Sequence, residues 1–197
     1  MAQSAHVHDV ARQGFAAGTN ELYDRARPSY PPAALQFVRA AIGPHATVIE
    51  PGAGTGIFSR LLLHPPSAEY PSFGLRALVG VEPSAGMREA WDKGMERIPQ
   101  SAKAGVDLRC TDGGFDDLAK TQLERGSADA VIIAQAWHWC PDHEKALVSP
   151  ARAWSILGLS RAGPVNHGQR CLVLTPDRDR VVPQAWRAAH PGLEPRE

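Results

Sequence analysis

Cysteine is scarce in this chain: three residues in 197, Cys110, Cys140 and Cys171, with no CxxC pair among them. An odd, scattered set is a poor disulfide framework and fits a reducing, cytoplasmic setting. No sign of charge is in excess, since 21 Lys and Arg balance 21 Asp and Glu. That balance removes the electrostatic argument for nucleic acid or an anionic membrane surface as partner. No apolar run approaches the ~18 residues that a membrane-spanning helix needs. The opening MAQSAHVHDVARQGF lacks the apolar centre of a secretory signal. The eight histidines form no ligand pattern, and Pro141 separates His138 from His143, so no metal is expected. What is present is a globular balance, 43% hydrophobic and 21% charged, with 18 Gly and 17 Pro to make turns. The length suits one domain with one sizeable core.

Hydrophobic patterning orders the middle of the chain. Pro31 and Pro32 suit the first turn of a helix running to about Ile42, with Leu35, Val38 and Ile42 on one face. Ala46 to Glu50 reads as a buried strand, followed by a glycine-rich turn and an apolar helix from Ile57 to Leu63. Leu75 to Glu82 is a second strand, and Ser84 can cap a helix from Ala85 to about Arg97. Val106 to Cys110 is a weaker third strand, Asp117 to Glu124 a short helix, and Ala128 to Ala134 a strongly apolar fourth strand. Asp142 opens a further helix to about Val148. Strand and helix in alternation predict an α/β fold, a doubly wound and mainly parallel sheet. After residue 148 the pattern degrades, although Cys171 to Leu174 can supply a fifth strand. Three segments result: residues 1–30, a core over 31–148, and a divergent tail over 149–197.

The richest stretch is Val48-Ile-Glu-Pro-Gly-Ala-Gly-Thr-Gly-Ile57, between a predicted strand and a predicted helix. Its glycines permit a tight turn and let a ligand approach bare backbone. A pyrophosphate-binding loop of dinucleotide enzymes reads G-x-G-x-x-G. Here the spacing is G-x-G-x-G, with Ile57 where the last dinucleotide glycine belongs. That argues against a nicotinamide oxidoreductase. The second strand ends at Glu82, whose two carboxylate oxygens can each accept a ribose hydroxyl. By itself Glu82 reads equally well as an acid at a helix start. The upstream loop favours the ribose.

The E-x-G-x-G-x-G form, from Glu50 through Gly52, Ala53, Gly54 and Gly56, resembles motif I of class I S-adenosylmethionine-dependent methyltransferases. The segments Phe15 to Gly18 and Tyr23 to Pro31 resemble the amino-terminal signature of a subgroup that includes trans-aconitate methyltransferase-like proteins. Val81-Glu82-Pro83-Ser84 to Met87 resembles its second motif, and Ala134-Gln135-Ala136-Trp137-His138-Trp139 its fourth. The resemblance implies a Rossmann-like methyltransferase fold with S-adenosyl-L-methionine as cofactor. It implies that Glu50 fixes the loop and the cofactor amino group, and that Glu82 and Pro83 lie at the ribose. Asp112 would lie near the adenine, with Gly113, Gly114 and Phe115 beside it. Gln135 and Ala136 would line the methyl end, and Tyr30 would close over the site from an amino-terminal capping segment.

The acceptor implied is a small molecule, and a carboxylic acid is one form of it. A carboxylate needs only positioning and a cation; a hydroxyl or amine needs a base, for which His138 is the nearest candidate. His138 between two tryptophans can also be a plain core residue. The family's turn after the fourth helix is missing at Ser149 to Gly158. The expectation is therefore a sheet without its last strands. The alternative function is a truncated, non-catalytic cofactor-binding or interaction protein. Oligomeric state is left open.

Overall fold

In a computed structural model the described residues are 29–142 apart from 117, 125 and 126, together with Ala146 and the backbone of residues 170–174. The elements are α1 (Pro32–Ala41), β1 (Thr47–Pro51), α2 (Ile57–Leu63), β2 (Ala77–Val81), α3 (Ala85–Glu96), α4 (Gln100–Lys103), β3 (Asp107–Thr111), β4 (Ala130–Ala134) and β5 (Arg170–Leu174). Two single 3-10 turns, Ala119–Thr121 and Trp137–Trp139, flank β4.

The strands form one sheet in the order β3-β2-β1-β4-β5. Every neighbouring pair is parallel. The chain moves outward from β1 to β3, then returns to start β4 on the other side of β1. Between β1 and β4 the winding therefore reverses, and an open crevice is left there beyond the strand ends. The fold class expected from the alternating pattern is the one observed, including a fifth strand over the CLVL stretch.

Side chains of successive strand residues alternate between the two faces. Val48, Leu78 and Ile132 pack with Leu35, Val38, Phe58 and Leu62 of α1 and α2. Ile49, Val79, Val131 and Ile133 form the opposite core with Leu118 and Ala136. Trp91 and Met95 of α3 make a third cluster with Ala53 and Ile98. Strands β1, β2 and β4 are buried along their whole length, as central parallel strands must be. Ser84 caps α3 as expected, its hydroxyl accepting the Met87 N–H at 3.4 Å.

One expected element is replaced. The helix predicted over 117–124 is only the 3-10 turn Ala119–Thr121. Both the N–H and the hydroxyl of Thr121 donate to the Leu118 carbonyl. The Thr121 carbonyl is taken by the Arg109 guanidinium at 2.9 and 3.2 Å, and Gln122 turns into the left-handed region at φ 56°. The Arg109 bonds and the turn at Gln122 stop propagation that local propensity alone would permit. The short α4 is an addition that periodicity did not indicate. Of the helix expected from Asp142, Ala146 is helical and its N–H donates to the Asp142 carbonyl at 2.9 Å; the rest of that helix, the amino-terminal signature over 15–28 and most of the tail lie outside the described residues. No helix among the described residues is long and apolar enough to cross a membrane.

Candidate functional site

The carboxyl ends of β1, β2, β3 and β4 border one hollow. Its wall includes Gly52, Ala53 and Gly54 after β1, Glu82 and Pro83 after β2, Gly113 to Asp116 after β3, and Ala134 to Ala136 at β4. Tyr30, Glu50, Phe58, Met87, Trp139 and Pro141 also line it. The unfilled space is about 1020 Å³, counting solvent at the mouth.

The loop after β1 is shaped by backbone geometry. Gly52, Gly54 and Gly56 all have positive φ, at 71°, 55° and 81°. The Gly52 N–H donates to the Val81 carbonyl at 2.8 Å, which ties the loop to the end of β2. A Cβ added to Gly52 would stand 2.4 Å from the Ala136 Cβ and 3.3 Å from the Phe115 ring. A Cβ added to Gly54 meets nothing within 4 Å. Gly54 is thus a bare stretch of cradle with room above it. Gly56 is not part of the wall and backs the loop against Trp91 of α3, 2.7 Å from where its Cβ would be.

This contrast gives a paired prediction. Gly52→Ala should cost about 1–3 kcal/mol of stability, from steric conflict and left-handed strain together. Gly54→Ala should cost only the strain, about 1–2 kcal/mol, while placing a methyl group in the open space. Thermal denaturation should rank Gly52→Ala as the more damaging. An equal fall in both would show that the Ala136 contact is easily relieved.

Two buried acids face the hollow. Glu82 accepts the Gly54 N–H on Oε2 at 3.0 Å and the Ser84 N–H on Oε1 at 2.9 Å. One carboxylate thereby fastens the glycine loop to the start of α3. Each oxygen keeps lone-pair capacity for a further donor. Burial pushes the Glu82 pKa up, and the two backbone bonds and Arg88 oppose the shift. Glu50 is more deeply placed, at 2% exposure. The Ser59 hydroxyl donates to Glu50 Oε2, and the Trp91 indole N–H donates to Ser59 Oγ at 2.9 Å. Burial pushes the Glu50 carboxyl up to about 8; the Ser59 bond and the Arg60 charge pull the other way, and Glu82 adds to the rise.

At the far wall Gln135 ends β4 in the left-handed region, at φ 52°. Such backbone is uncommon for a residue with a side chain and collects at functional sites. Phe115 meets Trp137 edge-on with centroids 6.2 Å apart, and it closes the wall between Gly52 and β4. Tyr30 packs edge-on against Phe58 at 5.0 Å, while its carbonyl accepts the Tyr70 hydroxyl at 3.0 Å.

The structure brings together Tyr30, Glu50, Gly52, Ala53, Gly54, Glu82, Pro83, Gln135 and Ala136 in one wall. Asp112 stands outside it, its carboxylate paired with Arg88 at 3.3 Å and Lys120 at 2.5 Å. His138 is exposed and lies against Trp139 at 5.1 Å between ring centroids; Trp139 is the one that reaches the wall. Residue reasoning passed over Met87, Asp116 and Pro141 as lining groups. Met87 carried a signal, one helical turn after the Ser84 cap. The other two depend on how loops close. Among the described residues no group of three or more His, Cys, Asp or Glu could hold a metal ion.

Comparison with known proteins agrees with this geometry. A family model described as a methyltransferase domain matches residues 49–158. An uncharacterized methyltransferase of Mycobacterium tuberculosis is 32% identical over 133 residues, which is 66% of this chain and 41% of that protein. An uncharacterized methyltransferase of Mycobacterium bovis matches to the same extent. The chain thus spans about two fifths of the length of these curated relatives. Among solved structures, a putative S-adenosyl-L-methionine-dependent methyltransferase of Methanococcus maripaludis shares the fold. Its TM-score is 0.54 at 16% identity, over 78% of this chain and 62% of that one. The cyclopropane synthase MmaA2 of Mycobacterium tuberculosis does so at TM-score 0.52 and 17% identity, over 81% and 55%. The strand order, the glycine loop and the family match lead to one statement: the chain belongs to the methyltransferase-domain family, whose cofactor is S-adenosylmethionine.

Proposed function

We propose that this protein binds S-adenosylmethionine in the hollow and transfers its methyl group to a small molecule. The observation that carries the reading is the wall itself. It holds Glu50, Glu82 and Asp116 and, among the described residues, no lysine, arginine or histidine. Such a wall suits a ligand that is cationic at one end and carries hydroxyls at the other. The bare backbone at Gly54 and the spare lone pairs of Glu82 fit a nucleoside.

When bound, the cofactor supplies a methyl group already activated by a sulfonium. The remaining work falls to the chain's own residues. Glu82 holds the sugar side and keeps the glycine loop in register with α3. Gly52, Ala53 and Gly54 present backbone to the thioether side, with Glu50 beneath them and Gly56 behind. Pro83 continues the wall beside Glu82, and Gln135 and Ala136 shape the end where an acceptor enters. Tyr30, with residues 1–30 as a capping segment on a core over 31–148, covers the mouth and excludes water. Asp112 acts on the base side from behind the wall. Trp139 adds an aromatic face to the lining, and such a face favours a cation.

A carboxylic acid acceptor, as in trans-aconitate methyltransferase-like enzymes, requires a cation from beyond this wall. For a hydroxyl or amine acceptor the base we assign is His138, which stands exposed beside the lining residue Trp139. His138→Ala should leave cofactor affinity unchanged and slow transfer to hydroxyl or amine acceptors alone. Calorimetric titration with S-adenosylmethionine, S-adenosylhomocysteine and NADH tests the whole reading. The first two should bind and NADH should not. Binding without transfer to any of a panel of small acids, alcohols and amines would favour the non-catalytic alternative. Binding of NADH alone would overturn the assignment.

A further inference from the structure

We propose that Arg88 is a positioning residue for the base-binding side of the hollow, fastening the loop after β3 to the turn after β2. The inference rests on the nucleoside reading above. Arg88 lies on the first turn of α3, and its side chain is only 24% exposed. One nitrogen, Nη1, donates to the Glu82 carbonyl at 2.7 Å and reaches Asp112 Oδ1 at 3.3 Å. The backbone of the residue that faces the sugar and the side chain that opens the next loop therefore share one donor. The Glu82 N–H also donates to the Thr111 carbonyl at 2.9 Å, so the two strand ends are joined just before the loop departs.

That loop contains two residues that have no side chain to anchor it. Gly113 and Gly114 line the hollow without side chains. Side-chain contacts hold it on either side of the glycines. Phe115 is held by Trp137 and by the space over Gly52. Asp112 is held by Arg88 and by Lys120. The Lys120 pair is more than half exposed on the lysine side, and such pairs contribute little. The Arg88 contact with Asp112 is longer, at 3.3 Å, but its donor is fixed by a short, partly buried bond to the Glu82 carbonyl, where charge-assisted bonds are worth more. Without it the glycine pair can drift, and the wall against a planar base loses its shape. The Glu82 carboxylate keeps its own ties to Gly54 and Ser84, so the sugar side should lose less than the base side when Arg88 is removed.

This asymmetry sets the test. Affinities of S-adenosylhomocysteine and S-ribosylhomocysteine, which lacks the base, are measured for the wild type, Arg88→Ala, Arg88→Lys and Asp112→Ala. Arg88→Ala should bind S-adenosylhomocysteine about tenfold more weakly, the worth of one charge-assisted bond, and S-ribosylhomocysteine within twofold of wild type. Asp112→Ala should lower the same ratio, and Arg88→Lys should restore part of it. The Arg88→Ala/Asp112→Ala double variant should be little worse than either single one. If Arg88→Ala weakens both ligands alike, or neither, Arg88 has only a general structural role and the inference fails. Should Arg88→Ala not fold, Arg88→Lys and Asp112→Ala still decide, since an unchanged ratio in both overturns it. A wild type that binds neither ligand removes the nucleoside reading itself, and this inference with it.

Discussion

Glu82→Ala is expected to weaken binding of S-adenosylmethionine and S-adenosylhomocysteine by about 10- to 100-fold, or ~1.5–3 kcal/mol. Two losses combine. On the proposed reading the variant lacks the acceptor for sugar hydroxyls, and it leaves the Gly54 and Ser84 N–H groups without the carboxylate that joins them. The first loss acts on affinity alone, whereas the second loosens the loop over which the ligand lies. Glu82→Gln separates them. Its amide keeps one acceptor oxygen, so it should retain one backbone bond and fall between wild type and alanine. Titration at fixed pH gives the affinities, and thermal denaturation gives the loop's contribution to stability. An alanine variant within threefold of wild type would mean that the sugar is not held here.

The second large effect concerns pH. Glu50 in the folded chain is pushed up from 4.5 to about 8, first by burial. Between those values the folded chain holds a proton that the unfolded chain has released. Stability therefore falls as pH rises through that window. It is fully present below about 4.5 and lost by the time pH passes 8. Glu82, also raised by burial, adds a change of the same sign. Glu50→Gln mimics the neutral acid, and its amide oxygen can still accept from Ser59. This variant should be more stable than wild type at pH 8–9 by a few kcal/mol, since each tenfold difference in proton affinity between the folded and unfolded chains corresponds to about 1.4 kcal/mol. Near pH 5 the two should be alike. Denaturant unfolding across pH 5–9 checks it, and a wild-type curve as flat as that of Glu50→Gln would refute it. A cationic ligand beside Glu50 should favour the ionised form, so wild-type affinity for S-adenosylmethionine should rise with pH more than that for neutral-sulfur S-adenosylhomocysteine. Glu50→Gln should lose that difference.

Much of this site is legible in the order of the residues. Glu50 and the three loop glycines can be read because each occupies a fixed place at a strand end, and local backbone geometry demands glycine there. Glu82 is legible for the same reason, one strand later. Asp112 and His138 show where such reading stops. Both follow strands in the right register, yet Arg88 and Lys120 draw Asp112 out of the wall and a 3-10 turn presents Trp139 in place of His138. Asp116, Pro141 and Arg88 gave no signal of their own, since their roles come from contacts with residues distant in the chain. The helix expected over 117–124 was lost in the same way, to Arg109 reaching across from β3.

The sequence alone determined the class of fold, the parallel sheet and the two acids at the ends of β1 and β2. These follow from periodicity and from short-range backbone demands, which are written in neighbouring residues. Only the tertiary structure decided that β4 returns beside β1, that Phe115 closes the wall over Gly52, and that Arg88 joins two loops. Those outcomes depend on which distant side chains meet, and a linear pattern carries no record of that distance.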